Sequence, residues 1–339
     1  MLSILLNKVL NGSDLTETEI SEALERIMDK SRGDILPAAF LTALRMKGET
    51  LPELIGSARF LRSRALNMEC PNKGLLDTCG TGGDGSSSFN ISTTAAFVAA
   101  GAGVRVAKHG NSGISSRCGS ADLLSELGYS LDTPVQNSER CLELHGIAFL
   151  FARKMHPVLA SAAGLRKELG FRTIFNMLGP LCNPAGAEYQ VTGVYDGALT
   201  ELFAAALREL GTKRAMIVHG NDGLDEISVS DSTRISELRD GQIHTYEFFP
   251  ELYLGRTFPP EEIRGGDARE NARITLSVLE GRERGACRAS VVLNAAAAIR
   301  TAGIEEEMPL AIAKAEESID SGAAREKLEL LIRESRRHV

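Results

Sequence analysis

The chain has no tryptophan, only five tyrosines, and an aromatic share of 5%. That leaves no obvious stacking platform for nucleic-acid bases or sugars. Excess positive charge is also missing: 38 Lys and Arg against 45 Asp and Glu give a net charge of −7. This argues against a basic nucleic-acid footprint over the whole surface, although a local basic patch such as Arg336-Arg337-His338 remains compatible with it. No apolar run approaches the roughly 18 residues that a membrane span needs, so no membrane partner is expected. The start, MLSILLNKVLNGSDL, lacks a basic leader and a small-residue cleavage site and reads as a short amphipathic helix. The six cysteines (Cys70, Cys79, Cys118, Cys141, Cys182 and Cys287) form no CxxC pair and no zinc-finger spacing. They read as reduced, half-buried thiols of a cytoplasmic protein. There is no internal repeat and no low-complexity tract; His-Gly-Asn occurs twice, at 109–111 and 219–221, which reads as coincidence.

What remains is a globular composition, 43% hydrophobic and 24% charged over 339 residues. At roughly 150 residues per domain, that length suggests two domains, or one large domain with an appendage. The first 70 residues read as helical. Thr16-Glu17-Thr18-Glu19 is a capping box, and Ile20, Ala23, Leu24, Ile27 and Met28 follow at helical spacing. A second helix is expected from Pro37 to about Gly48, and Thr50-Leu51-Pro52-Glu53 opens a third. The character changes near Asn72. Strands are expected at Leu75–Thr78, Val104–Ala107, Gln190–Tyr195 and Ala215–His219, with helices at Asn90–Ala100 and Leu202–Leu210. This strand–helix–strand order predicts a mostly parallel central sheet flanked by helices. Asp240-Gly241 marks a hairpin between Thr233–Leu238 and Gln242–Phe248. The Ala-rich stretch Asn294–Ile299 and an amphipathic helix at Arg325–Arg336 close the chain. The fold class is therefore α/β, a small all-helical domain beside a larger α/β domain.

Four segments carry chemistry. The first runs from Asp77 to Thr93 as strand, glycine loop and hydroxyl-rich helix start. Gly80, Gly82, Gly83 and Gly85 let backbone N–H groups turn toward an anion, and Ser92, Thr93 and Thr94 add hydroxyls at the positive end of a helix. This points to phosphate or pyrophosphate. It is not a Walker A loop, because no Gly-Lys-Ser/Thr follows, and it matches a dinucleotide fingerprint only through Gly80, Gly82 and Gly85. An ordinary glycine-rich turn is the bland alternative. The second segment, Lys108 to Asp122, again follows a strand. Lys108 and Arg117 can meet phosphate charge, and Ser115, Ser116 and Ser120 can donate hydrogen bonds. The third, Asn221-Asp-Gly-Leu-Asp-Glu226, places Asp225 and Glu226 after a strand, a donor pair for Mg²⁺ or else a solvated turn. The fourth spans Phe149–Pro157 and Leu165–Pro184. In it Arg166 is either a carboxylate clamp or a solvated helix residue, and His156 reads as a core or capping histidine.

Taken together, Gly80-Thr-Gly-Gly-Asp-Gly85, Lys108-His-Gly-Asn111, Gly119-Ser-Ala-Asp122, Arg172-Thr-Ile-Phe-Asn176, Leu178-Gly-Pro-Leu181 and Asp222-Gly-Leu-Asp-Glu226 resemble the anthranilate phosphoribosyltransferase family of tryptophan biosynthesis in order and spacing. Leu44–Thr50 and Gly266–Ala272 add similar segments, and the likeness covers nearly the whole chain. The resemblance implies a helical domain formed by 1–71 with 165–184, and an α/β domain formed by 72–164 with 185–339. It implies transfer of a phosphoribosyl group from 5-phosphoribosyl 1-pyrophosphate to the amine of anthranilate, with Mg²⁺, two ions per site. Carried over by position, Gly80, Gly83, Asp84, Ser88, Asn90, Ile91, Ser92 and Thr93 would hold pyrophosphate and ribose. Lys108, His109, Gly110, Asn111, Ser112, Gly113, Ile114, Ser115, Ser116 and Ser120 would close over the phosphates. Gly80, Asn111 and Arg166 would contact anthranilate, and Ser92, Asp225 and Glu226 would bind metal. Lys108 would neutralise leaving charge, and His109 would take the amine proton late. A homodimer through the helical domain is also implied.

Two departures from the family pattern stand out. Ser112-Gly113 replaces an Arg that commonly follows Lys-His-Gly-Asn, and His156-Pro-Val-Leu-Ala160 lacks an Arg often found there. The loop thereby loses a cation and gains a flexible Gly, which points to weaker phosphoribosyl pyrophosphate binding or to a different aromatic amine as acceptor, while the retained Arg166 favours an acceptor that carries a carboxylate. A pyrimidine nucleoside phosphorylase of the same architecture is the nearest other enzyme. A non-catalytic nucleic-acid-binding relative is the alternative of another class.

Overall fold

The computed structural model describes residues 2–29, 31, 33–66, 68–69, 74–113 and 117–337. Four helices come first: α1 (Leu2–Leu10), α2 (Glu17–Met28), α3 (Ile35–Lys47) and α4 (Leu51–Ser63). The capping box at the start of α2 is present. Thr16 Oγ1 accepts from Glu19 N at 3.2 Å and Glu19 Oε2 accepts from Thr16 N at 2.8 Å. At α4 the carboxylate half of the same device does more. Glu53, fully buried, accepts from Thr50 N at 2.8 Å, Leu15 N at 2.9 Å and Lys47 Nζ at 3.1 Å. A buried carboxylate satisfied this fully is tolerated, and it fixes the loops entering α2 and α4.

The sheet has seven strands: β1 (Leu75–Asp77), β2 (Arg105–Gly110), β3 (Ile147–Phe151), β4 (Tyr189–Gly193), β5 (Arg214–Gly220), β6 (Thr233–Arg239) and β7 (Gln242–Phe248). Their order is β3-β2-β1-β4-β5-β6-β7. The first five run parallel, and β6 and β7 are an antiparallel hairpin at one edge. Strand β3 is not among the strands expected from the sequence. Its uninterrupted apolar run shows no period-two alternation, and a single glycine, Gly146, separates it from the helix before it. Period-two alternation sorts the side chains. Met216 and Val218 face one core with α5 (Ile91–Gly101), while Ala215 and Ile217 face the other.

Between β2 and β4 lie α6 (Ser120–Glu126), α7 (Val135–His145), α8 (Ala152–Met155), α9 (Ala163–Leu169) and α10 (Phe175–Leu178). After β4 come α11 (Thr200–Glu209), α12 (Glu251–Leu254), α13 (Ala268–Leu279), α14 (Ala286–Thr301), α15 (Met308–Asp320) and α16 (Ala323–Ser335). Helix α14 is buried on nearly all sides, as an Ala-rich helix without a polar face must be. Its small side chains let it lie close against α5 beneath the sheet. Cys79, Cys118, Cys141, Cys182 and Cys287 are buried rather than half-buried, and Cys70 lies outside the described residues.

Residues from α9, α10 and the following turn (Leu165, Ile174, Phe175, Met177, Leu178 and Leu181) share one core with Leu24, Phe40, Leu44, Leu54 and Leu61 of the N-terminal helices. That core also takes in Ala162, three residues before the expected start of the insertion, and continues onto α11 and one face of the sheet. The chain connections leave the sheet in opposite directions from β1 and β4, which are neighbours. This topological switch point places a crevice at the carboxyl ends of β1 and β4, where open α/β sheets bind ligands.

Candidate active site

Four of the expected motifs meet at that crevice. The glycine loop follows β1, the Lys108–Asp122 segment continues β2, and the Asp225-Glu226 pair follows β5, with the 165–184 insertion facing them. Gly82, Gly83 and Gly85 adopt φ of +62°, +82° and +79°, a region that side chains disfavour. Gly80 is small for another reason. A Cβ there would fall 3.1 Å from the Gly193 carbonyl oxygen and 3.4 Å from Asp225 Oδ2. At Gly193 the place of a Cβ is taken by the Asp225 carbonyl. The acidic pair is thus packed directly against the ends of β1 and β4.

The carboxylates form the strongest electrostatic feature. Asp225 N donates to Asp84 Oδ2 at 3.3 Å, and Ser92 N donates to Glu226 Oε1 at 3.0 Å. Burial, followed by the neighbouring charges of Asp84 and Glu226, raises the Asp225 pKa well above its usual range. Burial pushes Glu226 up to about 7, against the pull of Lys108 and Ser92. The sequence assigns Asp84 to substrate and not to metal; its place beside Asp225 makes it a third carboxylate of the same group. Half-buried acids that crowd one another with raised pKa values fit a hard divalent cation. They are spread wider than one coordination sphere: among the described residues the His, Cys, Asp and Glu group whose ligand atoms all lie within 4.8 Å is Asp77, Cys79 and His109. A wide acidic site suits Mg²⁺, which keeps waters and shares phosphate oxygens.

The Asp77, Cys79 and His109 group reads as a hydrogen-bonded brace. Asp77 is fully buried; Oδ1 accepts from His109 N at 3.0 Å and Oδ2 from Asn183 Nδ2 at 2.7 Å. Both oxygens are thereby occupied, and burial pushes this carboxyl up to about 6. Burial also raises the Cys79 thiol pKa, keeping it protonated. The brace joins β1, β2 and the 179–184 turn, and neither Asp77 nor Asn183 stands out as a site residue in the sequence. Their partnership spans 106 positions and leaves no local signal.

Lys108 and His109 point inward. Lys108 Nζ donates to the Thr78 carbonyl at 2.8 Å and to Thr78 Oγ1 at 3.1 Å, and its charge lowers the pKa of both Asp77 and Glu226. His109 Nδ1 lies 3.0 Å from the Gly179 carbonyl. A carbonyl only accepts, so Nδ1 carries the proton and Nε2 presents a lone pair. Burial, then His156 at 5.1 Å between ring centroids, lowers the His109 pKa to about 3. Such an imidazole stays neutral near pH 7 and is a poor carrier of the amine proton.

The rest of the second segment forms a loop tied at both ends. Asp122 Oδ2 accepts from Gly113 N at 2.8 Å and from Gly119 N at 2.9 Å, and Ser120 Oγ donates to the Asn111 carbonyl at 3.2 Å. Asn111 Oδ1 accepts from Ser112 N at 2.9 Å. Ile114, Ser115 and Ser116 lie outside the described residues. Asn90 Nδ2 donates to the Cys118 carbonyl at 3.1 Å, joining this loop to the start of α5. Asn271 on α13 donates to Asn90 Oδ1 at 2.9 Å. Ser88 pairs with Arg264 as an isolated bridge at the rim, Ile91 and Thr93 are buried in the first turn of α5, and Gly110 ends β2.

Arg166 sits on α9, half-buried, in the insertion. Its guanidinium lies 5.5 Å over the Phe175 ring, and burial lowers its pKa. His156, ten positions earlier, is buried, and desolvation lowers its pKa.

Residues 3–65 match the helical bundle domain of the glycosyl transferase family and residues 72–325 match its a/b domain; the chain belongs to that family. Within it, the chain belongs with the anthranilate phosphoribosyltransferases. It is 54% identical over 328 residues to the anthranilate phosphoribosyltransferase of Syntrophobacter fumaroxidans, covering 97% of each chain. Its fold matches the crystal structure of the Thermus thermophilus enzyme with a TM-score of 0.91 at 39% identity, over 98% of this chain and 99% of that one. The Saccharomyces cerevisiae enzyme in complex with PRPP and Mg matches with a TM-score of 0.90 at 28% identity, over 98% and 97%. The same yeast enzyme has been solved with 4-fluoroanthranilate.

Proposed function

We infer that this chain transfers the phosphoribosyl group of 5-phosphoribosyl 1-pyrophosphate (PRPP) to the amine of anthranilate, releasing pyrophosphate. The observation that carries the reading is the wide, half-buried acidic group of Asp84, Asp225 and Glu226 set against a glycine loop, which the insertion bearing the desolvated Arg166 reaches through Arg172. The whole-length likeness to named transferases supports it over a phosphorylase or a nucleic-acid-binding relative.

In this reading Gly80, Gly83, Ser88 and Asn90–Thr93 turn N–H and hydroxyl groups toward pyrophosphate and ribose. Lys108 to Ser116 and Ser120 would meet the phosphates, with Asp122 holding Gly113 and Gly119 in place. Arg166, with Gly80 and Asn111, receives anthranilate and clamps its carboxylate. Asp225, Glu226 and Ser92, joined by Asp84, hold Mg²⁺, two ions per site. When bound, Mg²⁺ supplies positive charge to the leaving pyrophosphate. Lys108 balances the charge of Asp77 and Glu226 from within. His109 keeps its Nε2 lone pair as a fixed acceptor, and an aniline nitrogen, already neutral, needs no strong base. Positioning and leaving-group electrostatics therefore carry the rate. The helical domain combines 1–71 with 165–184. Exposed Ile4, Leu10, Ile35 and Met46 on α1 and α3 support a homodimer through it. Among the described residues no helix is long and apolar enough to cross a membrane, which is consistent with a cytoplasmic enzyme.

The test is loss of anthranilate fluorescence with PRPP and Mg²⁺, with and without chelator. The protein has no tryptophan to interfere. Chelator-sensitive loss supports the reading. No loss from folded protein, with pyrophosphate released on another aromatic amine, would redirect it to that acceptor.

The raised acids also set a pH dependence. Glu226, pushed up to about 7, carries a proton through more of the acid range than an ordinary carboxyl, and Mg²⁺ must displace it. Mg²⁺ affinity is expected to weaken below pH 7, by up to about tenfold per pH unit for each proton displaced. Calorimetric titration at pH 8 and pH 6, in buffers of different ionisation enthalpy, reads both the affinity and the protons released. A flat profile without proton release would remove Glu226 from the ligand set.

A further inference from the structure

We propose that Arg172 is a positioning residue that latches the glycine loop to the 165–184 insertion, so that the surfaces for the two substrates are set together. The assignment of those surfaces rests on the function proposed above; the latch itself rests on geometry.

Arg172 stands between α9 and α10. Its Nη2 donates to the carbonyl of Gly83, and its guanidinium lies 4.2 Å over the Tyr195 ring. Tyr195 belongs to the turn after β4 and touches the same loop. Its N–H donates to Thr81 Oγ1 at 3.1 Å, while Thr81 N donates to the Gly193 carbonyl at 2.9 Å. The β4 side of the loop is thus pinned to the sheet. The other side consists of Gly82, Gly83 and Gly85 at positive φ, the residues that lose most conformational freedom on ordering. Arg172 is a cross-link from the insertion to that side.

The turn carrying Arg172 is itself fixed. Thr173 N donates to Asn176 Oδ1 at 3.1 Å, and Asn176 N donates to the Thr173 carbonyl at 2.9 Å. Phe175, between them, carries Arg166 on its ring. One short segment therefore seats the arginine assigned to anthranilate and grips the loop assigned to pyrophosphate. Arginine suits the post because its flat guanidinium stacks and donates at once; lysine keeps the charge without the planar stack.

Two measurements separate the latch from ordinary packing. The first is amide hydrogen exchange across residues 80–88 in substrate-free protein. Arg172→Ala should speed exchange there by about tenfold while leaving α4, α5 and α14 unchanged. Tyr195→Leu should do the same from the partner's side, and Tyr195→Phe, which keeps the ring, should not. The second is steady-state kinetics. Arg172→Ala should raise KM for PRPP by about tenfold or more and KM for anthranilate by less, with Arg172→Lys recovering part of the loss. Exchange that rises throughout the molecule together with a fall in Tm would make Arg172 merely structural and overturn the proposal. So would unchanged exchange in the loop. If the wild-type protein shows no transfer, the functional reading fails on its own, and the exchange experiment still decides the latch.

Discussion

Combining Asp225→Asn with Glu226→Gln lowers turnover by about three orders of magnitude or more, without lowering thermal stability. The first half follows from charge. A divalent cation contributes several kcal/mol of charge stabilisation, and each 1.4 kcal/mol or so is a factor of ten in rate. The second half follows from the raised acids. A carboxylate whose folded pKa lies above its unfolded value costs stability as pH rises past the unfolded pKa, and the cost is complete above the folded pKa, because the native site resists the ionised form. Both acids are raised by burial, and Asp225 also by Asp84. The amides do not ionise, and the glutamine side chain keeps an oxygen able to accept from Ser92 N as Glu226 does. At pH 8 the double variant should therefore melt no lower than the parent, a trade of stability for function at the site. Initial rates across a Mg²⁺ series and a calorimetric scan check the two halves. A normal Mg²⁺ response in the variant would remove the metal assignment.

The same acids show what the sequence could and could not reveal. Asp225 and Glu226 were legible because they stand together at the end of an apolar strand. Asp84 was legible only as part of a glycine loop; its role beside Asp225 needs the 141-residue separation to be closed by the sheet. Asp77 and Asn183 were hidden for the same reason. Asp122 was legible as part of a motif, but its task of tying Gly113 and Gly119 across its own loop was not. Local signals did better. The capping box of α2, the strand that ends in glycines before α5, and the Asp240-Gly241 hairpin all stand where their turn chemistry put them. Strand β3 was the exception, since five apolar residues with no period-two alternation do not distinguish a strand from a buried helix. The insertion was placed by resemblance rather than by periodicity. Its core begins at Ala162, within a 3₁₀ stretch that has no helical repeat to read. Lys108 shows a further limit. A lysine after a strand suggests a phosphate contact, yet here the amine turns back onto Thr78, near the buried Asp77 and the half-buried Glu226.

Arg166→Ala is expected to raise KM for anthranilate by about a hundredfold and to leave KM for PRPP within about twofold. The structure gives the reason. Arg166 is half-buried over Phe175, and burial is the cause of its lowered pKa, with no carboxylate drawn against it among the described residues. A desolvated cation of this kind is stabilised by an anion that arrives from outside, and a planar guanidinium fits a carboxylate through two parallel hydrogen bonds. Hydrogen bonds to charged groups are worth roughly 1.5–3 kcal/mol, so losing the pair accounts for about two decades of affinity. The sharper test compares acceptors. The wild-type protein should prefer anthranilate to aniline, which lacks the carboxylate, by a similar factor, and the variant should lose that preference while using aniline as before. Arg166→Lys should fall between them, because a point charge restores attraction without the paired geometry. Equal losses toward anthranilate and PRPP, or a preference for anthranilate that survives the substitution, would place the carboxylate elsewhere. Ser112 and Gly113 would then be the next residues to examine, since they stand where the family commonly carries a second cation.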